Sequence, residues 1–312
     1  MFGKQILLVL TAHLILVLFS ASLFAAPPAP SPWRLQMESN LGLAQSSYSN
    51  NWVGGEAGSM TWVSNFLGKA ERQFSTSWFE GNELKLQFGQ THSQRQSDKH
   101  WLPPQKSADQ IRYDGIVRYT RGWFVDPYVG LTFESQFLDA SDSLKHRYLN
   151  PIDLTEATGF ARTLIEKPDV NVLTTRLGFG LKQRFTAFSD PADPTHEKTL
   201  RQNTNDGGIE WVTHLVLGSP KKPYNFDSRL TVFQALFHSI HSDIALPPQN
   251  DNWKTATANW DNTVSVNVTK ILQVGLAWQL LYDKQIALGG RFRETLSLGL
   301  AYKFANYTEE KK

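Results

Sequence analysis

The chain has 312 residues, no cysteine, 31 basic and 29 acidic side chains, and a formal net charge of +2. The missing thiols exclude disulfides, thiolate metal sites, thiol catalysis and a lipid-modified N-terminal cysteine, and the near balance of charge implies neither nucleic acid nor an acidic surface as partner. Aromatic residues at 12 %, with 10 tryptophans, and a slightly polar mean hydropathy argue against a membrane protein built of helices; they fit a sheet whose alternate residues face lipid.

Residues 1–25 begin with Lys4 near the start, continue through an apolar run from Ile6 to Phe19, and end in small residues at Ala21, Ser22 and Ala25. That is the build of a secretory signal peptide, and an N-terminal membrane anchor is the alternative. A Pro-rich spacer at 26–32 follows, with no means of building a core. Beyond Phe24 no comparable apolar run occurs. From 33 to 304 the chain predicts one all-β barrel, and 305–312 is a polar tail.

Twelve strands are predicted, at 33–46, 57–78, 82–93, 110–121, 127–139, 150–164, 170–186, 207–218, 226–239, 258–269, 271–284 and 294–304. Each rests on period-2 alternation, since successive strand side chains point to opposite faces. The first sets Leu35, Met37, Leu41 and Leu43 against Arg34, Gln36, Glu38 and Asn40. The eleventh sets Leu272, Val274, Leu276, Trp278, Leu280 and Tyr282 against Gln273, Gly275, Ala277 and Gln279. Segment 150–164 alternates poorly. In the last strand Leu296, Leu298, Leu300, Tyr302 and Phe304 share a face, and the ending Ser297-x-Gly299-x-x-Tyr302-x-Phe304 resembles the closing signal that outer-membrane barrels present to their assembly machinery. Here it is followed by further residues rather than standing last.

The connections sort by length. With the first strand starting on the periplasmic side, returns at 79–81, 122–126, 165–169, 219–225 and 270 are short, whereas those at 94–109, 140–149, 187–206 and 240–257 are long and polar. Short turns at one end and long loops at the other are expected of a transmembrane barrel. A free strand edge has no hydrogen-bond partner in hydrocarbon, so such a sheet must close. Twelve is an even number, as bacterial barrels of this kind have.

Several stretches carry a family likeness. They are Asn51-Trp52-x-Gly54-Gly55, Trp78-x-x-x-Asn82-x-Leu84 with Phe88-Gly89, Lys106-x-x-Asp109-x-Ile111-x-x-Asp114-Gly115, the segment PYVGLTFESQF from Pro127, Leu149-Asn150-Pro151, Gly159, and Arg176-x-Gly178-x-Gly180. In this order they resemble a family of uncharacterised outer-membrane-type β-barrel proteins known as a domain of unknown function. The resemblance implies a barrel and supplies no activity or catalytic pattern.

Chemistry is sparse. In 238–243, Ser239, His241 and Asp243 share a face if the segment is extended, and a hydroxyl, an imidazole and a carboxylate are the parts of an activated nucleophile. Neighbours two apart on one strand lie about 6 to 7 Å apart, which is long for proton transfer. Polar residues where a strand leaves the membrane are the plainer explanation. Metal ligation by His238, His241 and Asp243, or by His92, Asp98 and His100, has competent donors. Asp190, Asp193 and Asp206 match no known calcium-loop spacing. No metal or cofactor is therefore expected.

The inner face carries more. Alternation points Arg112, Asp114, Arg118, Glu134, Arg176, Lys182, Arg184, Glu210, Asp261 and Lys303 inward, together with Arg34, Glu38 and Arg229. Charges enclosed in a barrel must pair or be hydrated. Either they line a narrow path with basic walls that prefers anions, or they pair and fill the interior, and twelve strands leave that open. Trp52, Trp62, Trp78, Trp101, Trp123, Trp211, Trp253, Trp260 and Trp278 are read as interfacial girdles, with a sugar-stacking platform as the alternative. The expectation is an outer-membrane β-barrel working as a narrow pore for small hydrophilic, on the basic-wall reading anionic, solutes. A lipid hydrolase using Ser239 or Ser242 with His241, or a closed barrel binding through its outer loops, are the alternatives. The expected partners are outer-membrane lipid, the assembly machinery and a small solute.

Overall fold

A computed structural model describes residues 29–49, 57–142, 144–167, 171–218, 223–243 and 251–306. The predicted signal peptide, Trp52 with its neighbouring motif, and residues 307–312 lie outside the described residues. The strands are β1 (Arg34–Ser46), β2 (Ser59–Ser75), β3 (Trp78–Ser93), β4 (Gln105–Tyr119), β5 (Asp126–Ser135), β6 (Ile152–Lys167), β7 (Asn171–Ser189), β8 (Thr199–Gly218), β9 (Tyr224–Ser242), β10 (Thr257–Asn267), β11 (Leu272–Tyr282) and β12 (Arg291–Ala305). Each is antiparallel to the next, and β12 returns to β1, where Met37 faces Phe304 and Leu41 faces Leu300. The sheet is a closed twelve-stranded barrel without a free edge.

Which side of the wall is apolar decides what kind of barrel this is. On β12, Leu296, Leu298, Leu300 and Tyr302 are 71, 55, 58 and 68 % exposed, while Gly299 between them is buried. In register beside them stand Leu276, Val274, Leu272 and Leu41, which form a continuous apolar outer wall. The buried positions are instead rich in polar groups, among them Asn40, Arg112, Asp114, Glu210, Gln273 and Gln279. A sandwich of two sheets would bury the leucines between them and expose the arginines. This protein does the reverse.

Strand borders shift where local hydrogen bonds outweigh the alternation. The return expected at 79–81 lies at Thr76 and Ser77, so Trp78 opens β3 instead of closing β2. Gln73 holds that turn, its side-chain amide donating to the Ser75 carbonyl at 2.7 Å and to Thr120 Oγ1 at 2.8 Å. Toward the long-loop end β4, β7, β8, β9 and β12 run further than predicted, while β2, β5, β6 and β11 stop short of it. Residues 199–206 continue the ladder as the start of β8, pairing Asn203 with Phe185 on one side and His241 on the other. The loop between β7 and β8 thereby shrinks to 190–198.

Two glycines shape the inner wall. Gly159 and Gly178 face each other across β6 and β7, and a Cβ on Gly178 would lie 2.2 Å from the Thr158 carbonyl oxygen and 2.8 Å from the Tyr128 hydroxyl. The absent side chain of Gly178 leaves room for the Tyr128 hydroxyl, that of Gly159 lets β6 and β7 approach closely, and Tyr128 packs on Ala157 and Ala161 as the largest member of a small apolar cluster. The motif residues near the long loops act as anchors. Asn150 donates to the Ala187 carbonyl at 2.8 Å and accepts from Ala187 N at 2.7 Å, while the Asp109 carboxylate accepts from the amides of Phe137 at 2.7 Å and Leu138 at 2.9 Å.

Candidate functional site: a charged septum across the lumen

Ion pairs between strands that are not neighbours cross the interior. Lys69 Nζ on β2 lies 3.1 Å from Glu83 on β3 and 3.2 Å from Asp227 on β9. Arg229 on β9 reaches Glu83 at 3.0 Å and Asp114 on β4 at 2.6 Å. Asp114 also accepts from Arg112 Nε at 2.7 Å, and Arg112 extends to Glu134 on β5 at 3.0 Å. At the other end Asp227 lies 2.9 Å from His214 Nε2. From Asp227 the chain alternates in sign through Lys69, Glu83, Arg229, Asp114 and Arg112 to Glu134, with the His214 imidazole at its other end. In the closed order β3 and β9 are diametrically opposed, so this chain is a septum rather than a lining.

The chemistry follows from the enclosure. A carboxylate shut into a barrel without a partner carries a large desolvation penalty, and alternating pairs offset it. Charge-assisted bonds at these lengths are also the strong ones, above all from the Arg fork. Glu83, His214 and Asp227 offer three ligand atoms within 4.8 Å of one another, a geometry that suits a cation. The Lys69 ammonium, bonded to both carboxylates, already stands in that position.

Two chambers flank the septum and share Glu83 and Arg229 in their walls. One, of about 140 Å³, is bounded by β1–β4 and β9–β12 and includes Lys85, Asp261, Gln273 and Arg293. The other, of about 350 Å³, opens toward the short-turn end beside Arg34, Arg118, Arg176 and Gly218.

The remaining residues that alternation points inward are placed as follows. Arg118 donates to Thr163 Oγ1 at 3.2 Å and lies 3.8 Å from Asp126. Arg176 is 3.5 Å from Glu210, Lys182 is 3.8 Å from Asp283, and Arg184 is 2.6 Å from Asp153. Asp261 pairs with Lys85 at 3.1 Å and Lys303 with Glu38 at 3.2 Å. Every member thus faces an acid or base of opposite sign, so the walls are not simply basic. Lys69, Glu83, Lys85, Asp153, Asp227 and His214 were not singled out from the sequence. The signal was present: Leu84, Leu86 and Phe88 on the outer face of β3 place Glu83 and Lys85 on the inner one.

The candidate nucleophile does not assemble. Ser239 Oγ accepts from Asn205 at 3.4 Å, and the Asp243 carboxylate accepts from Arg201 N at 2.7 Å. No hydrogen bond joins Ser239 or Asp243 to His241 among the described residues. His238, three positions earlier and on the opposite face from His241, turns inward to Asp206 at 2.5 Å and stacks on Trp253 with ring centroids 5.7 Å apart. The proposed ligand set of His238, His241 and Asp243 is therefore split between faces. Asp98 instead accepts from Arg95 at 2.7 Å and from His100 N at 3.1 Å. Among the tryptophans, Trp78 stacks on Phe74 at 6.4 Å and meets Tyr119 edge-on at 4.9 Å, and Tyr119 in turn meets Trp123 at 5.7 Å. These four rings form an aromatic cluster at the short-turn end.

No curated protein shows significant sequence similarity to the chain. Among solved structures it is similar to an outer membrane channel from Pseudomonas putida F1, at 11 % identity over 92 % of this chain and 98 % of that one, with a TM-score of 0.35. It is also similar to the beta domain of the Bordetella autotransporter BrkA, at 10 % identity over 89 % and 100 % with a TM-score of 0.29. A third is Pseudomonas aeruginosa OccK5, at 8 % identity over 88 % and 98 % with a TM-score of 0.27. The fold assignment rests on the closed strand pairing of this chain itself. Residues 43–140 match the model of a family described as a protein of unknown function, DUF3078, in keeping with the likeness carried by the motifs.

Proposed function

We propose that the barrel sits in a bacterial outer membrane and conducts small hydrophilic solutes through a lumen that the septum narrows. The membrane reading is supported by the apolar outer wall of β11, β12 and β1, by the aromatic cluster at the short-turn end and by the sorting of loop lengths. The conduction reading rests on one observation: the septum is a single chain of ion pairs with a chamber on each side. Ion pairs exchange partners with a passing ion or with water, whereas a packed apolar plug does not. Paired walls give a weak preference by charge overall, less than basic walls alone would impose.

Planar-bilayer recording tests this. The full chain is expected to give a small, steady conductance, and Arg229→Ala, which removes two septum bonds at once, a larger one. Silence at all voltages from both proteins overturns the pore. It would leave the second reading, a closed barrel binding through its outer loops, which the completeness of the septum also favours.

A further inference from the structure

Every strand has two neighbours, yet one ladder stops before its strands do. Between β1 and β12 the pairs run from Gln36 with Ala305 to Gly42 with Gly299 and end there. Continued in the same register, Leu43 to Ser46 stand opposite Leu298 to Thr295, and none of them is paired across this seam. Both strands are regular at these positions, because Ser46 still pairs with Ser59 on β2 and Thr295 with Ala277 on β11. Among the described residues this is the one place where two neighbouring strands run on side by side for more than a single residue without pairing.

The seam lies in the part of the wall toward the long loops, between the apolar exterior and the smaller chamber. On its outer side Leu43, Leu296 and Leu298 stand exposed. On its inner side the facing residues are small, Ala44 and Ser46 on β1 against Thr295 and Ser297 on β12, and the last two line the chamber. Unpaired backbone at the depth of hydrocarbon is tolerated only where it lines a cavity or finds another partner. Along this line the wall is held shut by the least, and no large side chain of either strand blocks it from within. Arg293, two positions before Thr295 on the same face of β12, is exposed, lines the same chamber and donates to Gln110 on β4 at 3.2 Å.

We propose that the seam is a side portal between this chamber and the membrane, and that it binds a single-chain amphiphile. The class follows from the two ends of the path, polar inside and apolar outside. An oxygen-bearing head lies against Arg293, a fork that suits such acceptors, and the acyl chain passes between β1 and β12 to the leucines on the outer wall. The inference rests on the membrane placement in the reading above and not on conduction along the barrel axis.

The chain has no native cysteine, so Leu43→Cys with Leu298→Cys places a clean staple across the seam. The full chain, refolded into phosphatidylcholine vesicles, is given a lysophosphatidylcholine that carries a diazirine in its acyl chain, and after irradiation the labelled residues are mapped by mass spectrometry. Label is expected on the inner-face residues Gln273, Gly275, Thr295 and Ser297 as well as on the outer leucines. Oxidising the staple should reduce the inner label at least fivefold, reduction should restore it, and the outer label should not change. Arg293→Gln should lower the inner label by a similar factor with heat-modifiable mobility on gels retained. Inner label that is absent from the native chain, or that survives the closed staple, overturns the portal; inner label that survives Arg293→Gln overturns the placement of the head. Should the cysteine pair fail to fold or to close, hydrogen exchange of the native chain decides. Residues 43–46 and 295–298 should exchange faster than 59–62, which are paired on both sides, and equal protection overturns the proposal. A barrel silent in planar bilayers that takes the inner label would remove the axial pore and keep the portal, and a conducting barrel without inner label would do the opposite.

Discussion

Gly178 shows how much one missing side chain can decide. Its Cβ position is already filled by the Thr158 carbonyl and the Tyr128 hydroxyl, so Gly178→Val must push β6 and β7 apart or expel Tyr128 from the wall. Overpacking of this kind costs about 1–3 kcal/mol. The expected outcome is a lower unfolding temperature in detergent and a smaller heat-modifiable fraction on gels, with Gly289→Val, which meets nothing within 4 Å, as the neutral control. Asp142 makes the same point for a loop. It accepts from Ser189 Oγ at 2.5 Å and lies 2.8 Å from His196 Nδ1, tying the loop after β5 to the tip between β7 and β8. Those bonds, the Ser189 one first, hold its carboxyl well below the usual carboxylate range. A depressed acid contributes fully above its unfolded value of about 3.9 and loses that contribution only as pH falls through the lower folded value. The tie should therefore hold from neutral pH down to about pH 4. Asp142→Asn should break it at neutral pH, seen as faster tryptic cleavage at Lys198 with the barrel intact, and cleavage at the native rate would count against it.

At the scale of the element, alternation was legible and strand ends were not. All twelve strands are present because a two-residue period in side-chain polarity is imposed by a wall with different surroundings on its two sides. The period fades where both sides are polar. That is why residues 199–206 read as loop although they extend β8, and why 105–109 of β4 were missed. The turn at Thr76 and Ser77 was misplaced for another reason: Gln73 and Thr120 fix it through side-chain bonds that a pattern of apolar residues does not encode. The last strand carries a prediction of its own. Tyr302 and Phe304 stand exposed on the outer wall of β12, where they add little packing to the finished barrel. We propose that they serve recognition by the assembly machinery. Phe304→Ala should then reduce the amount of barrel inserted in cells while leaving the unfolding midpoint of refolded protein unchanged. Equal loss of both would assign the ring to stability instead.

For the whole molecule, the sequence alone placed charges inside but left their partners open, because pairing across the lumen depends on which strands stand opposite once the sheet has closed. Lys85 and Asp261 illustrate this: they are 176 positions apart, on β3 and β10, and meet at 3.1 Å. Such a pair is weak support for stability, since taking two charges out of water offsets most of their attraction. Losing one partner is different, because the survivor keeps its desolvation penalty without its counter-charge. Both side chains keep some exposure to the chamber, at 27 and 13 %, which reduces the effect below that of a fully buried pair. Lys85→Met should therefore destabilise by about 1–3 kcal/mol in urea unfolding from lipid vesicles, and Asp261→Leu by a similar amount. The double variant should recover to within about 1 kcal/mol of the native barrel, giving a coupling well outside the additive range for independent sites. If the two losses simply add, the charges are separately hydrated and the ion pair does not bind the two walls together. If the coupling is found, stability in this barrel comes from the hydrogen-bonded sheet and its apolar exterior, and the interior ions act mainly to set what can pass between them.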